Sequence, residues 1–252
     1  MLFFERILHP KTDPKDQRRA SRYAVGPDFP IKAVLNLEGC DEYGETLTSS
    51  DGKGWDWIGR LINFSATGAN VQLPPATAAR RGDPCALNLA LASYRLKLPC
   101  HVAHMRTRQD SILFGLRFDL PGKDVVPGYQ QLLELVAFGA SLKPERTPPK
   151  KSNASGYHVE HYHGDFAAHL TVWRSLTDGA VQWFEFQLAE YCIRGGAETR
   201  SLEFSNGREI KNTQPISPAQ VDEIHQLFRW VVPNIARVVP ADVRHSLQGF
   251  AA

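Results

Sequence analysis

Little in this sequence points to export, to a membrane or to catalysis. Its four cysteines, Cys40, Cys85, Cys100 and Cys192, are scattered through 252 residues with no C-x-x-C spacing. A chain of this length does not need covalent staples, so they are expected to be free thiols in a reducing compartment. Cys85, Cys100 and Cys192 lie in apolar strand contexts and read as core fillers. Long apolar runs are missing too: nowhere do about twenty apolar residues follow one another, which excludes a helical membrane span. The opening Met1-Leu2-Phe3-Phe4-Glu5-Arg6-Ile7-Leu8 is too short and too interrupted for a secretory signal, so a cytoplasmic location is expected. An excess of one charge is also absent. With 29 Lys and Arg against 27 Asp and Glu, the formal net charge is +2. No global field therefore favours a nucleic-acid polymer, and any anion site must be local. There is no G-x-S-x-G elbow, no P-loop and no H-E-x-x-H pattern, so neither a catalytic residue nor a catalytic cofactor is expected. The cluster His158, His161 and His163, with Asp165 and His169 beyond, lacks a cysteine or a second carboxylate cluster, and no metal is expected.

What is present is the make-up of a folded chain, 42% hydrophobic and 22% charged. The main composition shift falls at residues 143–156, where Pro144, Pro148 and Pro149 stand among charged and small polar residues. Such a stretch buries little, and the reading places a linker there, between a domain over 1–142 and another over 157–252.

The first domain reads as short strands bounded by Gly, Pro, Asp or Ser: Phe29–Leu37, Trp57–Asn63, Asn70–Leu73, Cys85–Leu91, Leu96–His104 and Ile112–Phe118. Tight spacing of this kind predicts a barrel or sandwich. A helix is predicted over Tyr129–Phe138, with Gly139 as its C-cap. The second domain reads as an antiparallel meander closed by helices, an α+β unit. Asp178-Gly179 predicts a tight reversal after Leu170–Val172. Gly195-Gly196 is read as the separator between the strand Phe184–Leu188 and a third near Leu202 and Phe204. A fourth strand is expected near Tyr157–His161. Ser217-Pro218 predicts a helix start, and Val221, Ile224, Phe228, Val231 and Ile235 form its apolar stripe. Pro233 must end or kink that helix, and a last helix is expected over Ala241–Leu247.

Two segments carry recognition chemistry. The first is Gln17-Arg18-Arg19-Ala20-Ser21-Arg22-Tyr23 and the second Asn63-Phe64-Ser65-Ala66-Thr67-Gly68. Arginine presents a planar fork that suits the O6/N7 edge of guanine and phosphate oxygens alike. Asn and Ser at a turn add directional hydrogen bonds, and Gly68 lets the backbone pass close by or adopt a positive φ. Taken singly, R-x-x-x-R fits a solvated basic arm equally well, and N-x-S-x-x-G fits an ordinary β-turn.

Together they resemble a family. Arg18 and Arg22, with Arg19 as a basic neighbour, resemble the R-x-x-x-R segment of the PilZ domain, and Asn63, Ser65 and Gly68 match its [D/N]-x-S-x-x-G motif one by one. Ile112–Phe118, with Gly115 and Phe118, resembles its late strand. The resemblance covers about the first 140 residues, and its two motifs lie further apart than is common in the family; residues 38–55 read as a polar hairpin insertion. It implies a six-stranded β-barrel with cyclic di-GMP as regulatory ligand, held by Arg18, Arg19, Arg22, Asn63, Ser65 and Gly68. It further implies a signal passed by conformational change to the second domain or to a protein partner. A homodimer and an intercalated ligand dimer both stay open. The alternative is a protein-interaction scaffold whose barrel does not bind nucleotide.

Overall fold

The structure is a computed structural model that describes residues 21–37, 39–40, 46–47, 54–119, 125–145, 156–198, 201–206 and 216–251. Its contacts cluster into two units, Met1–Leu133 and Glu134–Ala252. No helix among the described residues is long and apolar enough to cross a membrane.

The first unit is built on a closed antiparallel barrel of six strands, as the resemblance implies. They are β2 (Ile31–Leu37), β5 (Trp55–Ser65), β6 (Gly68–Leu73), β7 (Pro84–Leu91), β8 (Tyr94–Arg108) and β9 (Ser111–Phe118), and the β5–β6 pairing closes the ring. Strand alternation fills it: Ala33, Leu35 and Leu37 of β2 are buried, and so are Leu87, Leu89 and Leu91 of β7. Phe64, Val71, Leu98 and Phe114 complete the interior. Closure gives each of the six barrel strands a neighbour on both sides. A two-residue strand β1 (Tyr23–Ala24) adds to the end of β5. Within the expected insertion, β3 (Gly39–Cys40) pairs with β4 (Thr46–Leu47), a short hairpin.

Helix α1 (Val125–Ala140) starts earlier than the sequence suggests, with Pro127 tolerated in its first turn. Tyr129 is fully buried, its ring against Phe64 and Phe118 of the barrel. Gly139 is not a cap but lies inside the helix. A Cβ there would stand 2.8 Å from the backbone oxygen of Val231, so glycine serves close packing in the second unit. Phe138 meets Phe166 in the same unit. These contacts explain why the division between the units falls within α1, ahead of the stretch read as a linker.

In the second unit six strands run in sequence order: β10 (Lys143–Pro144), β11 (Tyr157–His163), β12 (His169–Ser175), β13 (Val181–Leu188), β14 (Tyr191–Gly196) and β15 (Leu202–Asn206). The stretch read as a linker therefore begins with a strand, Lys143–Pro144, which pairs with Tyr162 and His163. Residues 146–155 lie outside the described residues. Besides β10, the meander holds a further unexpected strand, β14, because Gly195-Gly196 ends it and does not separate β13 from β15. The reversal is made by Ala189 and Glu190, with Ala189 at φ 54°, and a turn without Gly or Asn gives no sequence signal. Gly195 is needed for space: a Cβ would stand 2.6 Å from the ring of Phe184. The predicted Asp178-Gly179 reversal is present, with Gly179 at φ 72° and Asp178 Oδ1 accepting from Ala180 N.

Helix α2 (Pro218–Val231) starts with a capping box in which Ser217 and Gln220 satisfy each other's backbone amides. Ile224, Leu227, Phe228 and Val231 face the core, and Phe184 stacks on Phe228 at 6.0 Å. Pro233 falls in a 3-10 turn, Val232–Asn234, that stops the helix. Helix α3 (Ala241–Ala251) is held to the sheet by Arg174, which donates to Glu160 Oε1 and forks onto the Asp242 carboxylate.

Candidate functional site

β1 and β5 bring the two sequence motifs together. Tyr23 lies opposite Phe64 and Ala24 opposite Asn63, so the chain entering β1 runs beside the Asn63–Gly68 turn. Val25 N donates to Ile62 O, at a bulge where β5 gains one residue over β6 between Leu61 and Asn63. The bulge changes the register ahead of the turn and sets Asn63 opposite Asn70. From this position Arg22, solvent-exposed, donates from Nη1 to Asn63 Oδ1 at 3.3 Å. Arg18 and Arg19 lie outside the described residues.

Ser65 is 1% exposed, and its polar atoms are engaged within the fold. Its Oγ accepts from Thr67 N and donates to Gly68 O, at 3.4 and 3.3 Å, closing the turn on itself. Its carbonyl accepts from the Tyr129 hydroxyl. Burial pushes the Tyr129 phenol well above its ordinary range, while the Arg22 guanidinium pulls the other way. The arginine charge thus lies close enough to act on the group that braces the turn.

Gly68 answers the choice left open by the sequence. A Cβ there would stand 2.2 Å from the backbone oxygen of Leu116, so the glycine permits close approach to β9. A positive φ is not involved.

Register then extends the motif around the barrel wall. Ser65 is opposite Gly68, Gly68 opposite Arg117, and Arg117 opposite His101. One row over, Asn63 is opposite Asn70, Asn70 opposite Gly115, and Gly115 opposite His104, whose ring covers the glycine. Arg117, His101 and His104 are exposed. The Oδ1 of Asn70 is buried with no hydrogen-bond partner in the structure. A depression of about 440 Å³, lined by Arg81, His101, Arg117 and Asp119 among others, adjoins the first row, where His101 pairs with Asp119. The wall therefore carries guanidinium, imidazole and amide groups around two positions that have no side chain, an arrangement suited to a flat, anionic, acceptor-rich ligand. The sequence reading passed over Asn70, His101, His104, Arg117 and Tyr129, because strand register and not spacing places them here. The only advance signal was Arg117, inside the late-strand resemblance.

In the second unit His161 Nδ1 lies 3.2 Å from Thr171 Oγ1. Among the described residues no three His, Cys, Asp or Glu side chains converge as a metal site.

No curated protein matches the chain in sequence. Among solved structures, the PilZ domain with c-di-GMP of YcgR from Escherichia coli is similar at 15% identity and a TM-score of 0.34. The match covers 46% of this chain and 88% of that one. The family model of the PilZ domain matches residues 16–138, a span that takes in both motifs, the barrel and most of α1. Residues 16–138 of this chain are a PilZ domain.

Proposed function

We propose that this PilZ domain is a receptor for cyclic di-GMP and that the chain signals by binding it, without catalysis. The observation that carries the reading is the Arg22–Asn63 hydrogen bond, which joins two motifs forty residues apart in sequence at one place on the barrel. Arg22 is permanently cationic and exposed, so a ligand phosphate or a guanine edge can take over the bond it now makes to Asn63. Asn63 offers an amide to the same ligand, and Arg18 and Arg19 add charge from the arm that leads into β1. Ser65 and Gly68 act chiefly by shape: the serine closes the turn and the glycine lets it lie against β9. Each bidentate contact to a base contributes about 1–3 kcal/mol by analogy with groove readout.

Ligand capture fixes the arm against the turn. The resulting change in the arm's position is the signal, read by the second unit or by a protein partner. Calorimetry with cyclic di-GMP, using cyclic di-AMP as control, tests the reading. Binding of the guanine ligand alone supports it, because adenine presents a donor where guanine presents its O6 acceptor. A chain that binds neither is the scaffold of the alternative.

A further inference from the structure

The two cysteines that look unrelated in sequence are partners across the barrel wall. Cys85 of β7 lies opposite Cys100 of β8, and their Sγ atoms are 3.3 Å apart. Directly opposed residues send their side chains to the same face, so the contact follows from the register itself. Backbone directions define the pair further. Val102 N donates to Asp83 O and Val102 O accepts from Gly82 N, so its polar groups point towards β7; those of Pro99 point away, its oxygen accepting from Asp119 N. By the two-residue repeat of a strand, Cys100 also turns its backbone towards β7, which makes Cys85–Cys100 a hydrogen-bonded pair. Cα atoms in such a pair are about 5.5 Å apart, inside the ~4.4–6.8 Å that a disulfide spans.

We propose that Cys85 and Cys100 form an oxidisable thiol pair that hydrogen peroxide converts to a cross-strand disulfide. Cys100 is 2% exposed whereas Cys85 is half-buried, so a small oxidant suits the site and meets Cys85 first. The Cys85 thiolate attacks one peroxide oxygen and the O–O bond breaks, giving a sulfenic acid and hydroxide, which takes up the thiol proton as water. The Cys100 sulfur then attacks the Cys85 sulfur, the S–O bond breaks, and the leaving hydroxide departs as water with the Cys100 proton. Two thiols and one peroxide become one disulfide and two waters, with both sulfurs oxidised and both oxygens reduced. The hydrogen bond its own S–H donates to Cys100, then burial, then the negative charge of Cys100 and of the Asp119 and Asp83 carboxylates hold the Cys85 thiol well above its ordinary range. The pair therefore rests as a dithiol and reacts slowly at neutral pH. Its place in the barrel gives the link reach: Cys100 is also opposite Phe118, whose amide donates to Thr67 O and whose ring meets Tyr129.

The test treats the full chain with excess peroxide for far longer than N-acetylcysteine needs for full oxidation, then denatures, alkylates with N-ethylmaleimide and digests it. The expected product joins the Cys85 and Cys100 peptides, two hydrogens lighter than their sum, leaves Cys192 alkylated, and is reversed by dithiothreitol. In Cys100→Ser the same treatment should leave Cys85 as a sulfenic acid that dimedone traps. The proposal is overturned if both cysteines stay alkylatable, if Cys85 goes to sulfinic acid while Cys100 remains a thiol, or if the cross-link joins any other pair.

Discussion

The hydroxyl of Tyr129 donates to the carbonyl oxygen of Ser65, tying the first half of helix α1 to the turn that carries the second motif. The Tyr129 ring is 5.9 Å from Phe64 and 5.1 Å from Phe118, centroid to centroid, so neither the hydroxyl nor the carbonyl has ready access to water. With its phenol pushed up by burial, Tyr129 stays a neutral donor across the physiological range. The shape of the turn therefore depends on a helix more than sixty residues downstream.

Tyr129→Phe keeps the ring and removes the donor. The buried Ser65 carbonyl is then unsatisfied, which costs about 1–3 kcal/mol. Urea denaturation should show the midpoint falling with the slope unchanged. Affinity for cyclic di-GMP should fall as well, since the turn loses its brace.

Gly68→Ala drives a methyl into the Leu116 carbonyl. Backbone on both sides must shift, and overpacking of this kind costs about 1–3 kcal/mol or more. The expected outcome is a lower thermal midpoint together with weakened cyclic di-GMP binding. Gly82→Ala is the contrast: it meets open space but must hold φ 96°, so it should cost stability through backbone strain while leaving the turn intact.

Glu134 is buried in α1, and that burial raises its carboxyl from 4.5 to about 7. The folded chain thus holds a proton that the unfolded chain has released. This contribution favours folding most below the unfolded value, is lost as pH rises from about 4.5 to about 7, and is flat above that. The cost at pH 8 is of order 3 kcal/mol. Glu134→Gln should raise the thermal midpoint at pH 8, leave it nearly unchanged near pH 4, and flatten the pH profile between.

Arg117→Ala removes an exposed guanidinium opposite Gly68. Stability should change by less than about 0.5 kcal/mol. Cyclic di-GMP affinity should drop severalfold, and its dependence on salt should become shallower, because one cation fewer faces the ligand. Titrations at two ionic strengths read both effects.

The barrel strands were legible because each is a short run rich in Val, Ile, Leu or Phe bounded by Gly, Pro, Asp or Ser. The meander was undercounted because Ala189 and Glu190 reverse the chain without turn-forming residues. Gly139 looked like a cap since it follows an apolar run, yet its reason is the Val231 backbone, invisible in one dimension. The motif residues of the site were readable as a pattern, Arg22, Asn63, Ser65 and Gly68 alike. Their geometry was not. That Ser65 turns its hydroxyl into the turn, that Arg117 stands beside Gly68, and that Cys85 faces Cys100 are all consequences of strand register, which a hydrophobic pattern alone does not specify.

The central claim is that Arg22, held at Asn63, is a principal contact for a cyclic di-guanylate. Isothermal titration of cyclic di-GMP into the wild type and Arg22→Ala tests it most directly. Arg22 is solvent-exposed and its bond to Asn63 lies at the surface, so the variant should fold normally. The predicted result is an affinity lower by tenfold or more, which corresponds to about 1.4 kcal/mol. Wild-type affinity in a folded Arg22→Ala protein would contradict the account.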